Sequence, residues 1–113
     1  MDAKSFILLM YSGMGVLLVV LSIPLILNKI KPNLWYGFRV PKTINNPDIW
    51  YKANHYAGVR LCAAGAISTV SAVAAYFLLP NAGLEVYSLV VLGISLTALI
   101  VATVMSFAYL RTL

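Results

Sequence analysis

The chain has 113 residues, of which 62% are hydrophobic and 10% are charged, and its mean hydropathy is +0.93. A soluble domain carries about a quarter charged residues, so this composition excludes a soluble globular protein and indicates an integral membrane protein. The net charge of +5 comes mostly from basic residues beside apolar segments, which favours lipid headgroups over nucleic acid as their partner.

The first predicted element is an apolar segment over residues 5–27. It is long enough to cross a bilayer, because about 20 residues suffice. Its apolar run is longer than the roughly 7 to 15 residues of a signal peptide, and no A-x-A cleavage pattern follows it, so we expect a retained span. Pro24 is expected to kink or fray its last turn.

The connection that follows, residues 28–60, is much longer than a helical bundle requires. Connections beyond about 12 to 15 residues are usually functional or disordered, and disordered segments lack aromatic residues. This connection contains six of them: Trp35, Tyr36, Phe38, Trp50, Tyr51 and Tyr56. We therefore expect it to be folded at the membrane interface, where tryptophan and tyrosine accumulate.

Its second half predicts an amphipathic interfacial helix over residues 47–57. Asn46 suits the N-cap, and the proline that follows it suits the first helical position. Trp50 is expected to be buried against the bundle or the headgroups, and Lys52 to lie in water. This helix could run straight into the second span, with its first three turns in the cytoplasm, but a bend near Gly58 is the favoured expectation.

Its first half predicts an irregular segment. Pro41 pushes Val40 into an extended conformation, and Gly37 could supply a positive φ angle or a close backbone approach. Arg39 suits planar, bidentate contacts, and it could anchor the segment through Asp48, a backbone carbonyl or a lipid phosphate. A plain surface arginine beside the membrane is the alternative.

We expect this connection to fold back as a cap on the bundle. Asn54 would then donate hydrogen bonds to loop backbone groups and accept others from them, and Gly58 would permit close packing. Lys42, in contrast, is expected to be solvated.

Two further spans are predicted over residues 61–79 and 86–110, joined by a short turn over residues 80–85. They carry rows of small residues: Ala64, Ser68 and Ala72, then Ala98, Ala102 and Ser106. Such rows allow close helix approach within a bilayer. They could pack the chain's own bundle, or they could support a homo-oligomer or docking to another membrane protein.

The basic residues predict the orientation. Seven lie on the side that holds the 28–60 connection and the carboxyl terminus, against one on the other side. Basic residues remain cytoplasmic, so we expect a multi-pass protein of the cell membrane with its amino terminus outside and its carboxyl terminus in the cytoplasm.

The predicted spans contain no ionisable residue other than tyrosine and cysteine, which argues against an ion or proton transporter. Asp48, His55 and Cys62 are too sparse to form a catalytic site, and no pattern for a metal or another cofactor is present. We expect a protein that is not an enzyme.

The connection resembles the signature of the SdpI family of small bacterial and archaeal membrane proteins, in the stretch "KPNLWYGFRVPKTINNPDIWYKANHYAG". The resemblance rests on seven positions, here called the signature residues: Asn33, Gly37, Arg39, Thr43, Trp50, Asn54 and Gly58. It covers about 30 residues of a chain expected to form a single membrane domain over residues 1–113. The best-known family member is roughly twice as long and has about twice as many spans.

The three apolar segments and the connection between the first two predict an all-α, three-helix membrane bundle with the interfacial helix in its cytoplasmic loop. The resemblance implies immunity or resistance against a membrane-active antimicrobial peptide, exerted by binding rather than by catalysis. The partners would be the lipid bilayer and a peptide toxin or a regulatory membrane protein. The alternative function is that of a small accessory subunit that stabilises a larger membrane protein complex.

Overall fold

The computed structural model describes residues 2–113, and this part of the chain contains helices but no strand. The helices are α1 (Ala3–Ile26), α2 (Pro41–Ile44), α3 (Pro47–Leu78) and α4 (Leu84–Leu110). Three of them, α1, α3 and α4, are long and apolar enough to cross a membrane. The predicted all-α fold with three spanning helices is confirmed.

The three long helices form an antiparallel bundle that measures 51 × 23 × 18 Å. The central helix is α3, which packs against both α1 and α4, whereas α1 and α4 touch each other little. We call the end of the bundle where α1 ends and α3 begins the loop end. The opposite end, where α3 turns into α4, is the turn end.

Two glycines bring α1 and α3 together. A β-carbon built on Gly65 would lie 2.5 Å from the carbonyl oxygen of Gly15, and one built on Gly15 would lie 2.5 Å from the carbonyl oxygen of Gly65. Beside them the Thr69 hydroxyl donates a 3.1 Å hydrogen bond to the Ser12 carbonyl. Helix association in a bilayer depends on such close packing, because lipid is as apolar as the side chains.

Small and hydroxyl-bearing residues join α3 to α4. The Ser68 and Ser95 hydroxyls lie 2.8 Å apart, and the buried Tyr87 hydroxyl donates a 2.8 Å hydrogen bond to the Ala72 carbonyl. Of the two predicted small-residue rows, every member is buried except Ala98, which is half-buried. The rows therefore pack the chain's own bundle, the first of their two expected roles.

At the turn end, Lys4 ties the start of α1 to the α3–α4 turn. Its ammonium group donates to the carbonyls of Leu79 at 3.2 Å and Ala82 at 3.1 Å. It also lies 5.7 Å from the ring centroid of Tyr76 and 5.4 Å from that of Tyr87. From the sequence, this lysine is only a charge that flanks the first span.

The predicted helix over residues 47–57 is present, but it forms the first three turns of α3 and not a separate interfacial element. The bend expected near Gly58 does not interrupt the helix. Gly58 packs tightly instead, since a β-carbon there would lie 3.0 Å from Ile26 Cγ1 and 3.2 Å from Leu25 Cβ. Contact with the last turn of α1 therefore supports α3 at this point.

The short helix α2 was not predicted. Pro41 opens it, and Val40 before it is extended as expected, with φ −126° and ψ 163°. The Thr43 hydroxyl accepts a 3.0 Å hydrogen bond from the Val40 N–H. Asn46 occupies the N-cap position of α3, but its side chain does not cap that helix and donates to the Lys42 carbonyl at 3.1 Å.

Candidate functional site

The segment over residues 27–46 folds across the loop end of the bundle, and we call it the cap. It holds four of the signature residues: Asn33, Gly37, Arg39 and Thr43. The other three are buried on α3 at intervals of four residues: Trp50, Asn54 and Gly58. This spacing places them in one row along the helix. The cap packs onto the part of the row nearest the loop end, Trp50 and Asn54.

Asn33 organises the first turn of the cap. Its side-chain oxygen accepts hydrogen bonds from the backbone N–H groups of Trp35 at 2.8 Å and Tyr36 at 2.7 Å. Its amide nitrogen donates to the Lys31 carbonyl at 2.7 Å and to the Tyr36 carbonyl at 3.1 Å. One side chain thus bonds four backbone groups of the turn, a role for which asparagine is well suited.

Gly37 and Asn54 form the central contact between the cap and α3. Gly37 has φ +113°, and a β-carbon there would lie 2.7 Å from Asn54 Oδ1 and 3.2 Å from the Trp50 ring. Asn54 Oδ1 accepts a 2.5 Å hydrogen bond from the Phe38 N–H. Its amide nitrogen donates to the Trp50 carbonyl at 3.0 Å, so the expectation that Asn54 also donates to the loop was wrong, because its own helix supplies the acceptor.

Trp50 is completely buried under the cap, with 0% of its surface exposed, as predicted. Its indole N–H donates a 2.7 Å hydrogen bond to the Ile30 carbonyl. Trp50 therefore also holds the segment that follows α1 against α3. Lys52 is exposed, also as predicted. The other tryptophan, Trp35, is 88% exposed on the outside of the cap.

The cap is also tied to the end of α4. The buried Thr43 hydroxyl donates to the Phe38 carbonyl at 2.6 Å, and the Phe38 ring meets the Phe107 ring edge-on with centroids 5.0 Å apart. The Lys42 ammonium donates a 2.9 Å hydrogen bond to the Leu110 carbonyl. Lys42 is exposed, as expected, but it is not only solvated, because its ammonium group shares the Leu110 carbonyl with the Leu113 N–H just beyond the end of α4.

Arg39 is exposed, and its guanidinium donates to the Leu34 carbonyl within the cap. Of the three anchors considered for it, the structure contains the backbone carbonyl. Asp48 is exposed at the start of α3 and is not its partner. Arg39 therefore closes a turn of the cap and presents a charged side chain to the surroundings.

Sequence reasoning missed two further hydrogen bonds to α1, one from α3 and one from the cap. His55 Nδ1 lies 2.7 Å from the Ile26 carbonyl, which requires the proton to be on Nδ1. The Tyr36 hydroxyl donates to the Leu21 carbonyl, and burial raises the pKa of this hydroxyl above its usual value, so it remains a neutral donor. Ile26 is the last residue of α1, and polar side chains that satisfy the last carbonyls of a helix are a common feature, but the sequence does not show which carbonyl each side chain reaches.

Beneath the cap lies a cavity of about 360 Å³ between α1 and α4. Its walls are largely apolar and include Leu18, Leu25, Phe38, Leu61 and Phe107. Two serine hydroxyls also line it, and both donate to carbonyls of their own helices at 2.7 Å. In residues 2–113 no group of three or more histidine, cysteine or acidic side chains is placed to hold a metal. The cavity can therefore accept apolar groups, and the residues that line it offer no array of free acids or bases.

Asn54→Ala is expected to loosen the cap, lowering the free energy of unfolding by about 1–3 kcal/mol, because the Phe38 N–H loses its acceptor in a partly buried site. Hydrogen exchange at the Phe38 amide should accelerate. Asn45→Ala is the matched control, since Asn45 is exposed. Equal exchange rates at Phe38 in both variants would contradict the role given to Asn54.

Comparison with known proteins gives one family. A model of the SdpI/YfhL protein family matches residues 29–109. The match covers all of the cap except its first two residues, all seven signature residues, α3 and almost all of α4, which is most of the chain. A search of curated proteins and a search of solved structures give no match.

Proposed function

This multi-pass membrane protein belongs to the SdpI/YfhL family, and we propose that it protects the membrane that contains it against a membrane-active antimicrobial peptide. It acts by binding the peptide and not by catalysis. Immunity is the role that the signature residues imply by resemblance, and the geometry of the loop end is compatible with it.

One observation carries the choice of binding over catalysis. The polar side chains of Asn33, Thr43, Trp50 and Asn54 direct their hydrogen bonds to the chain's own backbone. These signature residues therefore stabilise the cap. Their polar groups are already hydrogen-bonded within the chain and are not free to bind a substrate. The accessible surface includes the apolar faces of the spanning helices, which a membrane-inserted peptide can contact within the bilayer.

We propose that the loop end faces the cytoplasm. Lys52 at the loop end and Asn81 at the turn end are both exposed, so in a Cys62→Ala background Lys52→Cys should react with a membrane-impermeant maleimide only after the cells are opened. Asn81→Cys should react in intact cells. Labelling of both positions from the same side would exclude three spans in this arrangement.

The function is tested by survival. The chain is expressed in a susceptible bacterium, and the inhibitory concentrations of a panel of membrane-active peptides are measured against cells that express an unrelated three-span protein at equal level. We expect the inhibitory concentration to rise for at least one peptide. Unchanged inhibitory concentrations for every peptide, with the protein present in the membrane, would contradict the proposal.

A further inference from the structure

A groove of about 790 Å³ lies between α3 and α4; its α3 wall extends from Arg60 to Ile67, and the groove continues further along α4. Small residues line it on both helices: Ala63 on α3 and Gly93 on α4 are exposed and Ala98 is half-buried, whereas Ala64 and Ala102 are buried at its base, where they pack the chain's own bundle. A β-carbon built on Gly93 would meet no atom of the described residues within 4 Å, so the groove floor is open there. Small residues at such a surface let another helix backbone approach closely within a bilayer.

One charged residue, Arg60, stands at the end of the groove nearer the cap. Its guanidinium carbon lies 4.8 Å from the ring centroid of Tyr56, and the Tyr56 ring stacks on the Tyr109 ring with centroids 4.3 Å apart. Its Nε atom is buried and has no hydrogen-bond partner within residues 2–113. A positive charge beside an apolar groove, with a buried donor unpaired, is complementary to a carboxylate from a partner.

The length of the groove argues against a lipid chain as its occupant. The lining residues of α4 extend from Leu89 to Met105, a rise of about 24 Å along the helix. One leaflet of the hydrocarbon core is only about 15 Å deep. A lipid anchored at Arg60 would leave the far part of the groove unfilled, whereas a membrane-inserted helix would cover its length.

Charge argues against a second copy of this chain. A two-fold interface places the same surface of both copies face to face, so a dimer through this groove brings two Arg60 side chains to the same depth. Like charges opposed in a poorly solvated interface are repulsive. The groove fits a different polypeptide with the opposite charge.

We propose that the α3–α4 groove docks a single membrane-inserted helix of another polypeptide, with a carboxylate of that helix paired to Arg60. The inference rests on the proposed function and deepens it, because it names the surface that receives the peptide and the chemistry that the peptide must carry.

The test uses the full chain in vesicles of neutral phosphatidylcholine and two synthetic helices of leucine and alanine. One helix carries a single glutamate near one end of its apolar segment, and the other carries glutamine there. Binding is measured by energy transfer between dyes on peptide and protein. We expect the glutamate helix to bind about tenfold more tightly, as a desolvated, charge-assisted hydrogen bond implies.

Two variants locate the binding. Arg60→Gln should remove the preference for glutamate, and Gly93→Leu should weaken the binding of both helices by filling the groove. Gly13→Leu is the matched control, because Gly13 is exposed on α1 and a β-carbon built on it would meet no described atom within 4 Å. Binding that is insensitive to Gly93→Leu, or no preference between the two helices, would overturn the inference.

Three further outcomes would also overturn it. Displacement of both helices by added phosphatidylglycerol would identify a lipid site, and cross-linking of two copies through Gly93→Cys would identify a dimer interface. The third outcome comes from the survival assay. If the Gly93→Leu variant protects cells as fully as the unmodified chain, the groove is not the peptide site, but the proposed function stands. This assay therefore distinguishes failure of the groove inference from failure of the proposed function.

Discussion

Trp50→Ala is expected to lower the free energy of unfolding by about 3–5 kcal/mol, the usual cost of truncating a large buried aromatic side chain. The ring is fully buried and it touches the Gly37 position, so its removal leaves a cavity directly under the cap. The Ile30 carbonyl also loses the indole donor. Unfolding in mixed micelles, followed by circular dichroism, measures the loss.

The chain supplies its own control, because its second tryptophan is exposed. Trp35→Ala removes a side chain of equal size that is 88% exposed, and we expect little change in stability. Trp50 is then the single tryptophan, and its emission should remain that of a buried indole until the cap opens. Similar losses of stability in the two variants would show that the cap does not bury Trp50.

Gly65→Ala is expected to cost about 3 kcal/mol, at the upper end for overpacking. The added methyl group would lie 2.5 Å from the Gly15 carbonyl oxygen and 2.9 Å from Leu18 Cβ. The first of these atoms belongs to the backbone of another helix, so no rotamer change relieves the clash, and α1 and α3 must move apart. Thermal unfolding in a mild detergent measures the effect.

Gly13→Ala tests whether the effect belongs to the contact and not to glycine replacement in general. Gly13 lies on the same bundle, and its β-carbon would meet no described atom within 4 Å. We expect the melting temperature of this variant to be equal to or above that of the unmodified chain, because alanine favours the helix more than glycine does. If Gly65→Ala does not lower the melting temperature either, α1 and α3 do not pack through the two glycines.

The cap shows which structural features local sequence patterns predict and which they do not. Gly37 was expected to adopt a positive φ or to permit a close approach, and the structure shows both, because a residue between a tight turn and a packed helix needs both. The helix over residues 47–57 was also expected, since a proline after Asn46 and an amphipathic pattern are local signals. The contact of Lys42 was not expected, because its partner Leu110 is 68 residues away along the chain and any exposed lysine presents the same local pattern.

Composition and local pattern by themselves determined that this is a membrane protein with three apolar helices, that its polar residues concentrate in one connection, and that Trp50 is buried while Lys52 is exposed. These properties depend on the free energy of transferring apolar side chains from water to lipid and on the helical spacing of apolar residues. Both can be read from short stretches of sequence. Only the tertiary structure showed that the interfacial helix is the start of α3 and that Gly15 and Gly65 bring two spans together. It also showed that Arg60 lies beside an open groove, with its buried Nε unpaired within residues 2–113. Such features arise when distant segments meet, and the preferences of each segment taken separately do not specify which atoms come into contact.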